Sequence, residues 1–453
     1  MNASESTSPP PMIAIIGAGF SGTALAIQLA RRLAAGRRVL LIERDERPGP
    51  GLAYGTLEPH HLLNVPAKSM SLFPDKADDF LRWLETQPPE AFGPLCDGPA
   101  PDAFVPRALY GAYLRERLAE ALATGRIELL RADVTSVTRK GEGFALSGPG
   151  FSAEAGQVVL ATGNPPPGVS DLPWLAGDPW QKGGALEGLA PEAPLLLVGA
   201  GLTMVDLVLT LRARGHVGPI HVISRHGWAP LPHAEAPLPA PWPVPEQASG
   251  TPFRAILPVL REAAEAAAAA GTPWQSVPDG IRPQIQRLWQ AASPVEKARF
   301  LRHAATLWAV HRHRISPRLA DALEKAKVSL EAARLLGWEK RGEAVQARLR
   351  PRGGGEKLLD VARIILCTGP GADRGWLKAQ PLAGLIEAGL ARPEPLALGL
   401  DFDPATLAMH DAEGAPVPGL FVLGPTAKGM LWEATAVPEL RGMAAKLAER
   451  LLA

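Results

Sequence analysis

Apolar residues recur along this chain in two registers. Short unbroken runs, Ile13-Ala14-Ile15-Ile16 and Val39-Leu40-Leu41-Ile42, predict strands buried on both faces of a parallel sheet. Between them, Thr23 to Leu33 carries apolar residues at helical spacing, and Gly36 stops that helix. The same order returns as a strand at Leu195-Leu196-Leu197-Val198, a helix from Thr203 to Arg214 and a strand from Ile220 to Ile223. The two units superpose without a gap. Gly17 falls on Gly199, Gly19 on Gly201 and Leu25 on Leu207, and 26 residues separate Gly17 from Glu43 and Gly199 from Arg225. An internal repeat of a βαβ unit predicts an α/β chain with two Rossmann-like dinucleotide-binding domains.

The turns inside the two units carry the chemistry. Gly17-Ala18-Gly19-Phe20-Ser21-Gly22 is a full G-x-G-x-x-G between strand and helix, where glycines let the backbone approach a pyrophosphate. The helix N-terminus supplies free N–H groups and partial positive charge to that group. Glu43, ending the second strand, fits the acid that binds ribose hydroxyls, so this turn predicts FAD. The second turn, Gly199-Ala200-Gly201-Leu202-Thr203-Met204, keeps the phosphate-facing glycines but replaces the third with Met204. Arg225 stands where Glu43 stands in the first unit, next to Ser224. Both suit a 2′-phosphate, which predicts NADPH rather than NADH; the alternative for Arg225 is a solvated surface arginine. Asp206, one turn into this helix, is equally a helix-start charge or a functional group.

Two further apolar runs, Val158 to Gly163 and Ile364 to Gly369, each end in Thr-Gly and can return the chain across a domain border. Their placement predicts that the NADPH domain is inserted into the FAD domain. The expected division is a disordered tail at 1–11, an FAD domain at 12–192 and 355–453, and an NADPH domain at 193–354. The inserted part includes a proline-rich loop from Trp228 to Thr251 and a helical stretch. That stretch covers Arg254 to Ala270 and Pro283 to Arg312, broken near Pro294. Strands are expected around Ala344 to Leu349 and Val361 to Leu366, and a last helix from about Pro438 to Leu452.

Composition removes several function classes. The chain has 453 residues with 47 Lys+Arg against 46 Asp+Glu, so it lacks the basic excess of a nucleic-acid protein. No apolar run is long enough for a membrane span, and Met1 to Pro11 does not resemble a signal peptide, so a cytoplasmic location is expected. The two cysteines, Cys96 and Cys367, are far apart, which excludes a disulfide framework and a Cys-x-x-Cys centre. Metal binding is not expected. His311 and His313 are two apart and face different sides of a helix, and His60-His61 has no third ligand nearby. No Ser/His/Asp triad and no Gly-x-Ser-x-Gly is present.

The chain resembles the two-dinucleotide-domain flavoproteins, and more narrowly a bacterial family of FAD/NAD(P)-binding proteins. Members of known role include flavin monooxygenases such as L-aspartate N-hydroxylases and a urate hydroxylase. The resemblance rests on Gly17 to Gly22, His61 to Ala67, Met70-Ser71, Phe80 to Leu84 and Pro106 to Gly111. It continues through Gly201 to Asp206, Ser224 to Gly227 and His311 to Arg314, then Leu423-Gly424-Pro425, Trp432-Glu433 and Ala436 to Arg441. It implies an isoalloxazine ring beside Asn64 to Met70, Arg107 near the flavin phosphate or adenine side, and Val134 approaching the adenine through its backbone. It also implies that Gly424 and the helix start around Val437 and Pro438 approach the ribityl chain and flavin N1. A helix N-terminus there suits the negative charge of reduced flavin.

With Phe20, Ser21, Gly163, Leu202, Thr203 and Gly369 around the turns, these form the expected cofactor set. The flavin-proximal candidates for catalysis are Asn64, Lys68 and Trp432; Lys68 is alternatively a surface lysine, and Trp432 and Glu433 alternatively pack and cap. Arg312 and Arg314 can meet an anion or form a solvated helix end. The expected activity is NADPH-dependent hydroxylation of a small polar metabolite by O₂, at an amine nitrogen or a purine-like ring, through a C4a-peroxyflavin. The alternatives are an FAD-dependent NADPH oxidase or dehydrogenase without oxygen insertion, and a non-catalytic flavin-binding redox sensor. The oligomeric state is not predicted.

Overall fold

A computed structural model describes residues 12–34, 36–164, 172, 174–176, 179, 185–236, 238, 240–369 and 375–453. The expected tail at 1–11 lies outside the described residues. Two sheets organise the chain. The first has six strands in the order Ala408–His410, Pro416–Val422, Gln157–Leu160, Ile13–Ile16, Val39–Glu43 and Ile127–Arg131. Ile13–Ile16 pairs in parallel with a neighbour on each side, in register Ile13↔Val39 and Ile13↔Gln157. All four of its residues are buried, as an unbroken apolar run requires.

The helix Phe20–Ala30 lies over this strand with every residue buried. It begins three residues before the expected Thr23, because the last three residues of the glycine turn are already helical and Gly19 is the N-cap. It ends at Ala30 rather than Leu33. A side chain on Gly22 would collide with the carbonyl of Gly17, so the helix can sit this close to its strand only with glycine there.

The second sheet has seven strands. Its order is Lys357–Val361, Ala344–Pro351, Ser329–Arg341, Ile220–Ser224, Leu195–Val198, Arg363–Leu366 and Leu175–Ala176. This corrects the expected boundaries at 192 and 355. Leu175–Ala176, Lys357–Val361 and Arg363–Leu366 all belong to the second sheet. The reason is pairing: Arg363–Leu366 runs parallel to Leu195–Val198, as Gln157–Leu160 runs parallel to Ile13–Ile16. Each Thr-Gly run therefore completes its own nucleotide unit instead of both returning to the first.

The longest strand, Ser329–Arg341, pairs in parallel with Ile220–Ser224 through Ala332 and then continues as an antiparallel hairpin with Ala344–Pro351. A third, antiparallel sheet, Ser136–Lys140, Gly143–Gly148 and Phe151–Ala155, packs Val137, Phe144 and Leu146 into the core of the first. Between the second unit and its hairpin lie the helices Phe253–Ala269, Ser276–Ile281, Ile285–Ala291, Pro294–His303 and Ala305–Arg312. The break at Pro294 has a local cause. Ser293 caps the next helix, its hydroxyl accepting from Glu296 N at 3.2 Å, with Pro294 in the first turn. The final helix, Val437–Leu452, packs back on Phe20–Ala30. Among the described residues, no helix is long and apolar enough to cross a membrane.

Candidate nucleotide and flavin site

The two glycine turns are built alike. Gly17 has φ +102° and Gly199 φ +112°, conformations that disfavour a side chain. A Cβ on Gly17 would stand 2.5 Å from the carbonyl oxygen of Ala161, and one on Gly199 would strike the carbonyl of Cys367. Ala161 and Cys367 occupy matching places, each followed by threonine and a glycine of positive φ, Gly163 at +73° and Gly369 at +78°. Each turn leads into a helix, Phe20–Ala30 or Leu202–Ala213, capped by Gly19 or Gly201 with no side-chain hydrogen bond. The first N–H groups of both helices are thus left for an external acceptor. Gly201 is open: nothing lies within 4 Å of where its Cβ would stand.

Around the first turn the structure gathers Glu43, Gly163, Gly424 and Ser21. Glu43 Oε2 accepts from Ala18 N at 2.6 Å and its Oε1 from Asp45 N at 3.0 Å. A carboxylate has about four lone-pair directions, so this one keeps capacity for hydroxyl donors. Gly424, at φ +107°, lies against Ser21; a Cβ there would be 2.8 Å from the serine hydroxyl. Phe20 turns its ring away into an aromatic group with Tyr54 and Tyr110, so its backbone alone remains at the turn. Val134 is buried just beyond Ile127–Arg131, the strand in register with Val39–Glu43. Val437 is the buried first residue of the last helix, whose cap, Ala436, makes no side-chain bond.

Sequence reading missed Gly49 and Gly51. Gly49 N donates to Ala18 O at 2.7 Å, and Gly51 approaches Gly19 so closely that a Cβ would stand 2.9 Å from its Cα. The signal was a second Gly-x-Gly shortly after Glu43.

The second turn carries opposite charge. Leu202 and Thr203 open its helix, half-buried, while Met204 is buried in the core. Ser224 ends its strand, its hydroxyl accepting from Gly227 N at 3.0 Å. Arg225 is exposed and makes no hydrogen bond or ion pair among the described residues. Arg352, which sequence reading did not single out, reaches the same corner. Burial, Arg225 and Arg352 together lower the pKa of His226. No pattern joins positions 225 and 352; only the hairpin of the second sheet brings them together.

Two expected contacts have other partners. Arg107 Nη1 donates to Asp206 Oδ2 at 2.7 Å, Nη2 to Oδ1 at 3.3 Å, and Nε to Leu62 O at 3.0 Å. All three nitrogens serve the border between the two nucleotide units, where the resemblance implied a phosphate. His61 joins the same border, its Nε2 2.8 Å from Thr210 Oγ1. Lys68 is exposed and paired with Asp102 at 2.5 Å.

The backbone carbonyl of Asn64 accepts from His233 Nε2 at 3.0 Å. Near it lies a polar junction. Burial pushes His233 down to about 4, helped by Arg314. Burial, Arg312 and Lys428 do the same to His313. Glu433 is buried and bound by Arg312 at 3.1 Å and by Trp308 Nε1 at 3.3 Å. Lys428 lies 5.0 Å from the centre of the Trp432 ring, and burial lowers its pKa. Arg314 is buried against Asp279 at 2.8 Å, a structural pair rather than a free cation.

Among the described residues no cluster could hold a metal ion. Both cysteines are free thiols. Burial and Asp206 push Cys367 up to about 12, and burial raises Cys96.

Residues 14–165 match a protein family described as FAD-NAD(P)-binding. No curated protein matches the chain. Among solved structures, the ornithine N-hydroxylase of Kutzneria sp. 744, recorded with reduced FAD, NADP+ and L-ornithine, is similar at 14% identity. It aligns over 98% of this chain and 100% of its own, with a TM-score of 0.62. L-lysine 6-monooxygenase from Pseudomonas syringae aligns at 16% identity over 98% of this chain and 99% of its own, TM-score 0.61. A bacillithiol disulfide reductase from Staphylococcus aureus aligns at 12% identity over 98% of each chain, TM-score 0.54. At these identities the likeness establishes the fold, shared by oxygenating and disulfide-reducing enzymes alike.

Proposed function

We propose that this chain, which has the two-dinucleotide-domain flavoprotein fold, is an NADPH-dependent FAD monooxygenase that hydroxylates a small molecule. The observation that carries the reading is the contrast between two otherwise matching turns. Glu43 closes the first, while Arg225 and Arg352 border the second. A carboxylate accepts from ribose hydroxyls, and arginines pair with a 2′-phosphate. Gly17, Gly19 and Gly22 with Glu43, Gly163, Gly424 and the start of Val437–Leu452 would hold FAD. Gly199, Gly201 and Thr203 with Ser224, Arg225 and Arg352 would hold NADPH. When bound, FAD supplies redox chemistry: uptake of reducing equivalents from NADPH and activation of O₂.

The chain's own part is binding, orientation and exclusion of water. The uncapped helices hold the pyrophosphates, and Arg107 with Asp206 holds the two units in register. His233 and His313 stay neutral at pH 7, and the pKa of Lys428 is lowered. Such surroundings disfavour a charged amine, as hydroxylation at nitrogen requires. Two of the structural neighbours are named as N-hydroxylating or monooxygenating enzymes of amino acids, which supports the same reaction class. Against the disulfide-reductase alternative stand the cysteines: Cys367 is buried beneath the second turn and Cys96 is on a separate loop, neither poised as a thiolate.

The test is anaerobic reduction of the purified, FAD-loaded protein. NADPH should bleach the flavin absorbance faster than NADH, and air admitted with a panel of amines and aromatic compounds should then give a product of one of them carrying an added oxygen atom, in step with NADPH use. A flavin that NADPH cannot bleach favours a redox-sensing scaffold. Bleaching followed by peroxide alone, with every substrate tried, favours an oxidase.

A further inference from the structure

The helical insertion, together with Trp432, lines a partly open cavity of about 370 Å³, within the roughly 300–1,000 Å³ of small-molecule sites. Six rings line it: Phe253, Trp274, Trp289, Phe300, Trp308 and Trp432. Trp289 and Trp432 have their ring centres 4.5 Å apart, and Phe300 stands edge-on to Trp432 at 5.3 Å. This wall is anchored. Trp289 is 1% exposed, and its Nε1 donates to Gly429 O at 2.8 Å.

Trp432 does not belong to the insertion. It sits on the segment that begins at Gly424, against Ser21 of the first glycine turn, and ends at the last helix. The cavity therefore adjoins the same segment that borders the expected flavin position. Arg261 and His311 are the only ionisable groups in its lining, and His311 Nδ1 is already within 2.8 Å of Leu307 O. A zwitterionic amino acid or a urate-like ring placed here would lose its hydration without gaining matching partners. The space suits a small molecule rather than a peptide helix, whose diameter with side chains is about 10–12 Å.

We propose that this cavity binds the apolar body of the substrate, so that the substrate is a small molecule carrying a flat aromatic group rather than a compact polar metabolite. That the bound molecule is the substrate rests on the monooxygenase reading; that the cavity binds an aromatic molecule does not.

Indole is the probe, titrated calorimetrically into the FAD-loaded protein with L-aspartate as control. Ala264→Trp fills the cavity from the helix Phe253–Ala269 and Ala304→Trp from the junction between Pro294–His303 and Ala305–Arg312, and neither position is part of a glycine turn. The expected result is saturable one-to-one binding of indole, weakened about tenfold or more by either substitution because the new ring takes the occupant's space. L-aspartate should give no saturable heat, and FAD content and reduction by NADPH should be unchanged. The proposal is overturned if indole does not saturate, or if a folded filling variant binds it as tightly as the parent. Two positions are used so that one misfolded variant does not remove the test. Indole bound with peroxide as the only oxygen product sinks the monooxygenase reading and leaves the site. Hydroxylation of L-aspartate with no indole binding sinks the site and leaves the reading.

Discussion

The Arg107–Asp206 pair makes a quantitative prediction that separates its observed role from the implied one. Its side chains are unequally buried, with Arg107 19% exposed and Asp206 4%. Removing one partner of a buried pair costs about 3–5 kcal/mol, because the other is left charged and unpaired. The more buried survivor should suffer more. Arg107→Met strands the Asp206 carboxylate and should cost about 4 kcal/mol, while Asp206→Leu leaves Arg107 with Leu62 O and some water and should cost about 3. Replacing both together should cost less than either alone, within about 1 kcal/mol of the parent, since such exchanges are often close to neutral. The cycle then has a coupling energy far above the roughly 0.3–0.5 kcal/mol scatter of independent sites. Denaturant unfolding followed by circular dichroism at pH 7.5, with FAD content measured alongside, gives all four values. Single variants that each cost under about 1 kcal/mol, or a double variant as unstable as the sum, would show that the two side chains are not a coupled buried pair. Lost FAD affinity with unchanged stability would instead restore the phosphate contact implied by the family resemblance.

Gly201→Ala and Gly199→Ala should behave differently. Gly201 has open space and a negative φ, so alanine should leave stability intact and weaken NADPH binding, whereas Gly199→Ala meets the Cys367 carbonyl and should lower the melting temperature as well. Arg225→Ala and Arg352→Ala should each weaken NADPH about tenfold and leave NADH nearly unchanged, as one lost charged contact of about 1.4 kcal/mol implies; equal losses for both nucleotides would contradict a 2′-phosphate site. Stability should depend on pH through His233 and His313. Both are lowered from 6.5 to about 4, so below 6.5 the unfolded chain binds protons that the folded chain refuses. Their contribution, at most about 3 kcal/mol each, is full above pH 6.5 and lost as pH falls toward 4. The melting temperature should drop across that window, and less steeply in His313→Gln; a flat profile would show that these histidines do not titrate as described.

What could be read from sequence was what local geometry dictates. Gly17 and Gly199 are fixed by a positive φ and a close carbonyl, so their spacing from strand and helix carried the nucleotide turns directly. Contacts set by long-range packing were not legible. Arg107 and Asp206 are 99 residues apart, and Arg107 lies in a stretch with no pattern of its own pointing to Asp206. Ser329–Arg341 was missed because most of its residues are half-buried or exposed, so no clean alternation marked it. The boundary at 355 failed because a Thr-Gly run looks the same in either domain; only parallel pairing with Leu195–Val198 assigns it. The aromatic cavity was invisible for a related reason, since its rings come from several helices and a distant loop.

Oxygen transfer driven by NADPH is read out by labelled O₂. The FAD-loaded protein is given NADPH and ¹⁸O₂ with a panel of amino acids, purines and indoles, and product masses are measured. Oxygen transfer requires one product carrying a single labelled oxygen atom, formed in step with NADPH oxidation. NADPH consumed to labelled peroxide alone, with no labelled product across the panel, would contradict it.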